Sequence, residues 1–203
     1  MALTAVGGVL LLVNPELPVS NLGELVALVK AVPNRYSYAS WGIGSNGHLT
    51  MEWLKTKTGM QISHIPYNNQ TLADVITGRV ALASTAWATA LGHIQGKTLR
   101  AVGVTSEARL KAAPDLPTFR EQGYDVAAAT WAALSGPAGL PPDIVSRLNG
   151  LVAKFLQNPE LLKPLDQDIL EVRIMTPEQI TTHFKNEITV WTPVVANFLA
   201  KRK

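Results

Sequence analysis

Tyr36-Ser37-Tyr38-Ala39-Ser40, continuing directly into Trp41-Gly42-Ile43-Gly44-Ser45-Asn46-Gly47-His48-Leu49, is the stretch that decides the fold. Its first five residues alternate and carry aromatics, so they predict a strand. Leu49, Trp53 and Leu54 mark a helix beyond it. The segment between is a glycine-rich turn, where positive φ and close backbone approach are accessible. A helix start exposes unpaired N–H groups and a partial positive charge of about half an electron. Strand, glycine turn and helix start together predict an anion site.

The flanks repeat the strand–helix alternation. Further strands are expected at 8–13, 62–67, 79–84, 99–105 and 126–134. Asn21-x-x-Glu24 reads as a capping box ahead of an apolar stripe of Leu22, Leu25, Val26 and Val29. Thr71–Thr77 predicts a short helix stopped by Gly78, and Ala86–Gln95 another stopped by Gly96. Strands alternating with helices predict a largely parallel α/β sheet.

From Pro137 the texture changes. Pro141-Pro142-Asp143 opens a predicted helix through Gln157, with Ile144, Leu148, Leu151, Val152 and Phe155 on one face. Asn158-Pro159 caps the next helix, and 170–175 is a strand candidate. Thr176-Pro177-Glu178-Gln179 is a second capping box leading a long helix that Pro193 should kink or restart. Residues 8–135 thus form a self-sufficient α/β lobe. Residues 136–203 supply helices whose apolar faces need a partner.

Composition narrows the chemistry. With 203 residues and 47% hydrophobic content, the chain can bury one substantial core or two small lobes. No run approaches the ~20 apolar residues of a membrane-spanning helix. Val6–Val13 is short, has no preceding Lys or Arg, and reads as a buried strand rather than a signal peptide. There is no Cys, which excludes disulfides, zinc–thiolate sites and thiol nucleophiles. The net charge of +3 owes much to Lys201-Arg202-Lys203, and no basic stripe interleaves with aromatics, so nucleic acid is not an expected partner.

Gly42-x-Gly44-x-x-Gly47 matches the dinucleotide fingerprint, but the next strand ends Pro66-Tyr67-Asn68-Asn69 without the carboxylate that would hold a ribose. No Lys-Ser/Thr follows the glycines, so a P-loop fails. A smaller anion suits the turn, since the Ser40 and Ser45 hydroxyls add donors to its amides. The alternative at this point is a plain βα loop with Ser45 or Asn46 as N-cap. The four histidines, His48, His64, His93 and His183, have no metal-binding spacing and are read as unconnected; His48 is expected to fix the turn by hydrogen bonding. No G-x-S-x-G elbow is present. Neither a catalytic set, a metal nor a cofactor is expected. Trp53, Trp131 and Trp191 read as packing residues, whereas Trp41 and Trp87 stand beside turns and could face a cleft.

Several segments, in order, resemble the periplasmic solute receptors of tripartite tricarboxylate transporters, the Bug family. They include Val13-Asn14-Pro15, Tyr38-Ala39-Ser40 with Gly42-x-Gly44-Ser45 and His48-Leu49, and His64-Ile65-Pro66-Tyr67. Leu99-Arg100-Ala101-Val102-Gly103-Val104-Thr105-Ser106, Pro114-Asp115-Leu116-Pro117-Thr118, Gly136-Pro137-Ala138-Gly139 and Ile144-Val145-x-Arg147-Leu148-Asn149 continue the match.

The resemblance implies a periplasmic-binding-protein-like (type II) venus flytrap that holds a small carboxylate between lobes and hands it to membrane transporter subunits, with no enzymatic step. Residues 8–135 would be the complete second lobe and 136–203 the C-terminal part of the first. Carried over, the ligand-binding residues are Ser40, Trp41, Gly42, Gly44, Ser45, Asn46, Tyr67 and Thr85. Trp41 stands where the family has a small residue, and Thr85 where it has an acid, which favours a simple carboxylate over an amino acid. Family members carry a signal peptide and much of the first lobe before the equivalent of Val9, so the chain is expected to hold half a cleft, with self-association through exposed first-lobe helices. An effector-sensing regulatory domain of similar two-lobed design is the alternative.

Overall fold

The computed structural model describes residues 2–67, 72–158, 160 and 172–200, with only the backbone of 2–6. In chain order the elements are β1 (Ala2–Val13), α1 (Leu22–Ala31), β2 (Ser37–Ser40), α2 (Asn46–Thr58), β3 (Ser63–Pro66), α3 (Ala73–Ile76), β4 (Leu82–Ala86), α4 (Trp87–Gln95), β5 (Arg100–Val104), β6 (Ala129–Leu134), α5 (Pro142–Phe155) and α6 (Pro177–Ala200). They divide into two compact units, residues 8–129 on one side and residues 1–7 with 130–203 on the other.

The sheet runs β3-β2-β4-β1-β5, with β6 also pairing β1. β2 is parallel to β3 and β4, whereas β1 is antiparallel to both β4 and β5. The expectation of a largely parallel sheet is therefore corrected to a mixed one in which β1 alone among these five runs backwards. Apolar periodicity records which face is buried, not strand direction. Val9–Val13 reads as an unbroken apolar run because it is covered on both faces, as a central strand must be.

Other boundaries shift modestly. β1 begins at Ala2 rather than Gly8, the strand expected at 79–84 lies at Leu82–Ala86, and that expected at 126–134 starts at Ala129. Pro193 does not restart α6, which continues through it to Ala200. The strand candidate at 170–175 and the helix after Asn158-Pro159 fall largely outside the described residues, and 172–175 carries no strand.

The capping expectations hold atom by atom. Asn21 Oδ1 accepts from the Glu24 amide at 2.9 Å, and Glu24 Oε2 accepts from the Ser20 amide at 2.6 Å. At α6, Thr176 Oγ1 accepts from the Gln179 amide at 3.3 Å, with Gln179 Oε1 accepting in return at 2.9 Å. Leu22, Leu25, Val26 and Val29 of α1 pack onto Leu11, Val13, Tyr38 and Phe119, each fully buried aliphatic stabilising by about 1.5–3 kcal/mol.

In the other unit, Trp131 meets Phe184 edge-on at 4.7 Å, and Glu187 Oε2 accepts from the indoles of Trp131 and Trp191. On α5, Ile144, Leu148, Leu151 and Phe155 remain 41–54% exposed. No helix among the described residues is long and apolar enough to cross a membrane.

Candidate functional site

Because β2, β3 and β4 are adjacent and parallel, their carboxyl ends lie along one edge of the sheet. Ser40 ends β2, Tyr67 follows β3, and Thr85 sits near the end of β4. Candidates as many as 44 residues apart in sequence are thereby neighbours. The Tyr67 amide donates to the Ser40 carbonyl at 2.9 Å, and Trp41 Nε1 donates to Thr85 Oγ1 at 2.8 Å. Open α/β sheets bind ligands at this edge.

The turn that follows Ser40 needs its glycines. Gly42 and Gly44 have φ of +115° and +81°, and a Cβ on either would meet nothing within 4 Å, so the turn is open. Ser45 is the N-cap of α2, its hydroxyl accepting from the His48 amide at 3.3 Å. The Ser45 amide donates to the Gly42 carbonyl at 3.2 Å, and the Gly44 amide donates to His48 Nδ1 at 3.0 Å. His48 thus holds the turn, as the sequence predicts.

Gly47 has a different task. A Cβ there would lie 2.4 Å from the Ser84 carbonyl oxygen, so this position lets α2 close onto β4. Asn46 is engaged through both side-chain polar atoms, its Nδ2 donating to the Ala129 carbonyl at 2.9 Å while its Oδ1 accepts from Thr50 at 3.1 Å.

Ser40 lies beneath the turn, fully buried, with its Oγ 2.7 Å from His64 Nε2 and 3.4 Å from Ser45 Oγ. His64 in turn stacks on His48 at 4.1 Å and on Tyr38 at 4.8 Å. The reading of the histidines as unconnected is corrected here, since His48 and His64 form one stacked pair. The missing signal was tertiary: register pairs Tyr38 with His64 in the parallel β2–β3 ladder, and α2 brings His48 onto the same imidazole, which no spacing rule reveals. Burial, then the neighbouring His48, push the His64 pKa down to about 4. His64 is therefore neutral near pH 7.

Beneath this pair, Tyr38 donates to Glu52 Oε1 at 3.1 Å and Lys55 bridges the same carboxylate at 2.6 Å. Burial drives the Tyr38 phenol pKa well up, with Glu52 adding to the shift. Tyr67 donates to Asp74 Oδ2 at 2.5 Å, a bond that raises its own pKa, and Arg79 takes the other oxygen of Asp74 at 3.3 Å. No group of three or more His, Asp or Glu among the described residues is arranged to hold a metal. The site therefore offers hydroxyls, amides, a neutral imidazole and an exposed indole, since residues 40–48 include no Lys or Arg.

The chain is similar to known proteins over nearly its whole length. Residues 2–198 match the model of the tripartite tricarboxylate transporter family receptor. Protein BugT of Bordetella pertussis is 32% identical over 196 residues, covering 95% of this chain and 60% of BugT. Among solved structures, R. palustris Rpa4515 with adipate is 30% identical with a TM-score of 0.86, covering 96% of this chain and 66% of that one. The periplasmic binding protein BugD is 26% identical with a TM-score of 0.83, covering 97% of this chain and 67% of BugD. The chain spans about two thirds or less of the length of these relatives. The fold is the mixed α/β architecture of these periplasmic-binding-protein-like receptors, and the match to transporter receptors does not favour the regulatory alternative. This chain belongs to the tripartite tricarboxylate transporter receptor family, the Bug proteins.

Proposed function

We propose that the chain is the solute-binding part of a non-enzymatic periplasmic receptor that takes a small carboxylic acid at the 40–46 turn and serves the membrane subunits of a tripartite transporter. One observation carries this reading. The open Gly42–Gly44 turn leads straight into the N-terminus of the 13-residue helix α2 at the shared carboxyl edge of three parallel strands. A helix start with neutral hydroxyl and amide donors suits a carboxylate, which accepts several charge-assisted hydrogen bonds without a cation.

The Ser45 hydroxyl and the backbone amides that open α2 are the proposed direct donors, with Ser40, Gly42, Gly44 and the Asn46 side chain shaping the turn, Thr85 holding Trp41 from below, and Trp41 and Tyr67 lining it. Residues 8–135 act as the second lobe, a reading supported by the compactness of 8–129, and 136–203 belong with the first. The exposed α5 face supports assembly with further protein surface.

Isothermal titration of the chain with adipate, the acid held by Rpa4515, tests the reading. Adipate should bind, and Ser45→Ala should weaken it about tenfold or more, since a hydrogen bond to a charged group contributes about 1.5–3 kcal/mol. Failure of adipate, succinate and benzoate alike to bind at millimolar concentration would overturn it.

A further inference from the structure

The indole of Trp41 has an unusual combination of properties. It is 50% exposed, yet its one polar atom is tied down: Nε1 donates to Thr85 Oγ1 at 2.8 Å, and Thr85 is only 1% exposed on the neighbouring strand. An exposed tryptophan normally wanders among rotamers and offers water its N–H. Here the ring is anchored at its edge and the donor is spent inside the protein. What remains for a ligand is a fixed apolar π face at the start of the glycine turn. Ile43, 59% exposed two residues on, extends the apolar surface along the same turn.

We propose that the pinned Trp41 makes this turn selective for aryl carboxylates, with the carboxylate on the α2 start and the ring stacked on the indole. The proposal rests on the receptor reading above and names its ligand class. Flat rings pair with an indole in offset or edge-to-face geometry, at centroid separations of about 4.5–7 Å. A short di- or tricarboxylate would instead lay a second charge against apolar surface and the negative face of a π system, where it loses water without gaining a donor.

Amino acids fare no better. The usual partner of an ammonium group is a carboxylate, and the carboxylates touching site residues already have partners, Asp74 in Tyr67 and Arg79, Glu52 in Tyr38 and Lys55. Selectivity arises here as much from what the turn rejects as from what it holds.

The test is a set of titrations of the full chain with benzoate, succinate and acetate at one pH and ionic strength. Benzoate should bind more tightly than succinate by about fivefold or more, the scale of an aromatic pair. Trp41→Ala should collapse the benzoate-to-succinate ratio towards one, and Trp41→Phe, which keeps a ring, should leave an intermediate ratio. Thr85→Val, which frees the indole edge without changing side-chain volume much, should also lower the ratio. Benzoate should quench the fluorescence of the wild type, and that change should vanish in Trp41→Phe.

Succinate binding as tightly as benzoate, or a ratio unchanged by Trp41→Ala in a variant whose circular dichroism is intact, overturns the aryl assignment while leaving the receptor reading standing. No binding by any of the three acids or by adipate removes both, whereas adipate binding without benzoate binding overturns the aryl assignment alone.

Discussion

Ser40 Oγ and His64 Nε2 lie 2.7 Å apart, which links the end of β2 to the strand beside it directly under the glycine turn. The imidazole that makes this contact is sandwiched between Tyr38 and His48, and its pKa is lowered to about 4 by burial and then by His48. An ordinary imidazole titrates near 6.5. Between those values the unfolded chain binds a proton that the folded chain refuses. Stability contributed by neutral His64 is therefore complete above about pH 6.5 and falls as the pH drops towards 4. Melting temperatures measured across pH 4–7.5 should decline below 6.5, and His64→Gln should flatten the decline in that window. An equal decline in the variant would assign the effect to other groups.

Two glycines should respond to alanine with opposite signs. Gly47 lets α2 approach β4, and its Cβ would stand 2.4 Å from the Ser84 carbonyl oxygen, a backbone atom that cannot swing aside. Gly47→Ala should destabilise by about 1–3 kcal/mol, as overpacking does, and should disturb the turn next to it. Gly92, within α4, has open space where a Cβ would go. Gly92→Ala should stabilise by about 0.5–1 kcal/mol through helix propensity. Urea unfolding of both variants measures the contrast, and equal effects would contradict the packing argument.

The contrast also marks what was legible in the sequence. Alternation and capping boxes carried the helices and most strands, because Asn21, Ser45 and Thr176 advertise helix starts through local hydrogen bonding that depends on a few consecutive residues. The shape of the turn followed from Gly42 and Gly44 for the same local reason, since both take positive φ. Direction of β1 was not legible, because Val9–Val13 is equally apolar whichever way it runs. The His48–His64 pair and the Trp41–Thr85 bond were hidden too. Each joins residues from different elements, and only strand order and register decide that they meet.

Thr105 illustrates a contact of that hidden kind with a measurable consequence. Its hydroxyl accepts from the Val9 amide at 2.8 Å and donates to the Ala128 carbonyl at 2.5 Å, with the side chain 1% exposed. Thr105→Val keeps the shape and removes both bonds, leaving a buried donor and a buried acceptor without partners. It should cost about 2–4 kcal/mol, whereas Thr105→Ser, which keeps the hydroxyl, should cost about half that or less. Chemical denaturation of the pair settles the comparison, and a Val variant as stable as the Ser variant would show that the hydroxyl is dispensable.

Asn14 closes the other end of the same strand. Its Nδ2 donates to the Val75 carbonyl at 2.8 Å and the Ile76 carbonyl at 3.1 Å, and its Oδ1 accepts from the Glu16 amide at 2.8 Å. These are the last carbonyls of α3, a helix of four residues that cannot hold itself together by its own bonds. Asn14→Ala removes three hydrogen bonds at a buried position and leaves the α3 carbonyls without that donor. Global stability should fall by about 1–3 kcal/mol, and the loss should be uneven. Amide hydrogen exchange should accelerate most over residues 72–80, with α1 and β2 protected nearly as in the wild type. Uniform acceleration across the whole 8–129 unit would mean that Asn14 supports the core generally and not α3 in particular.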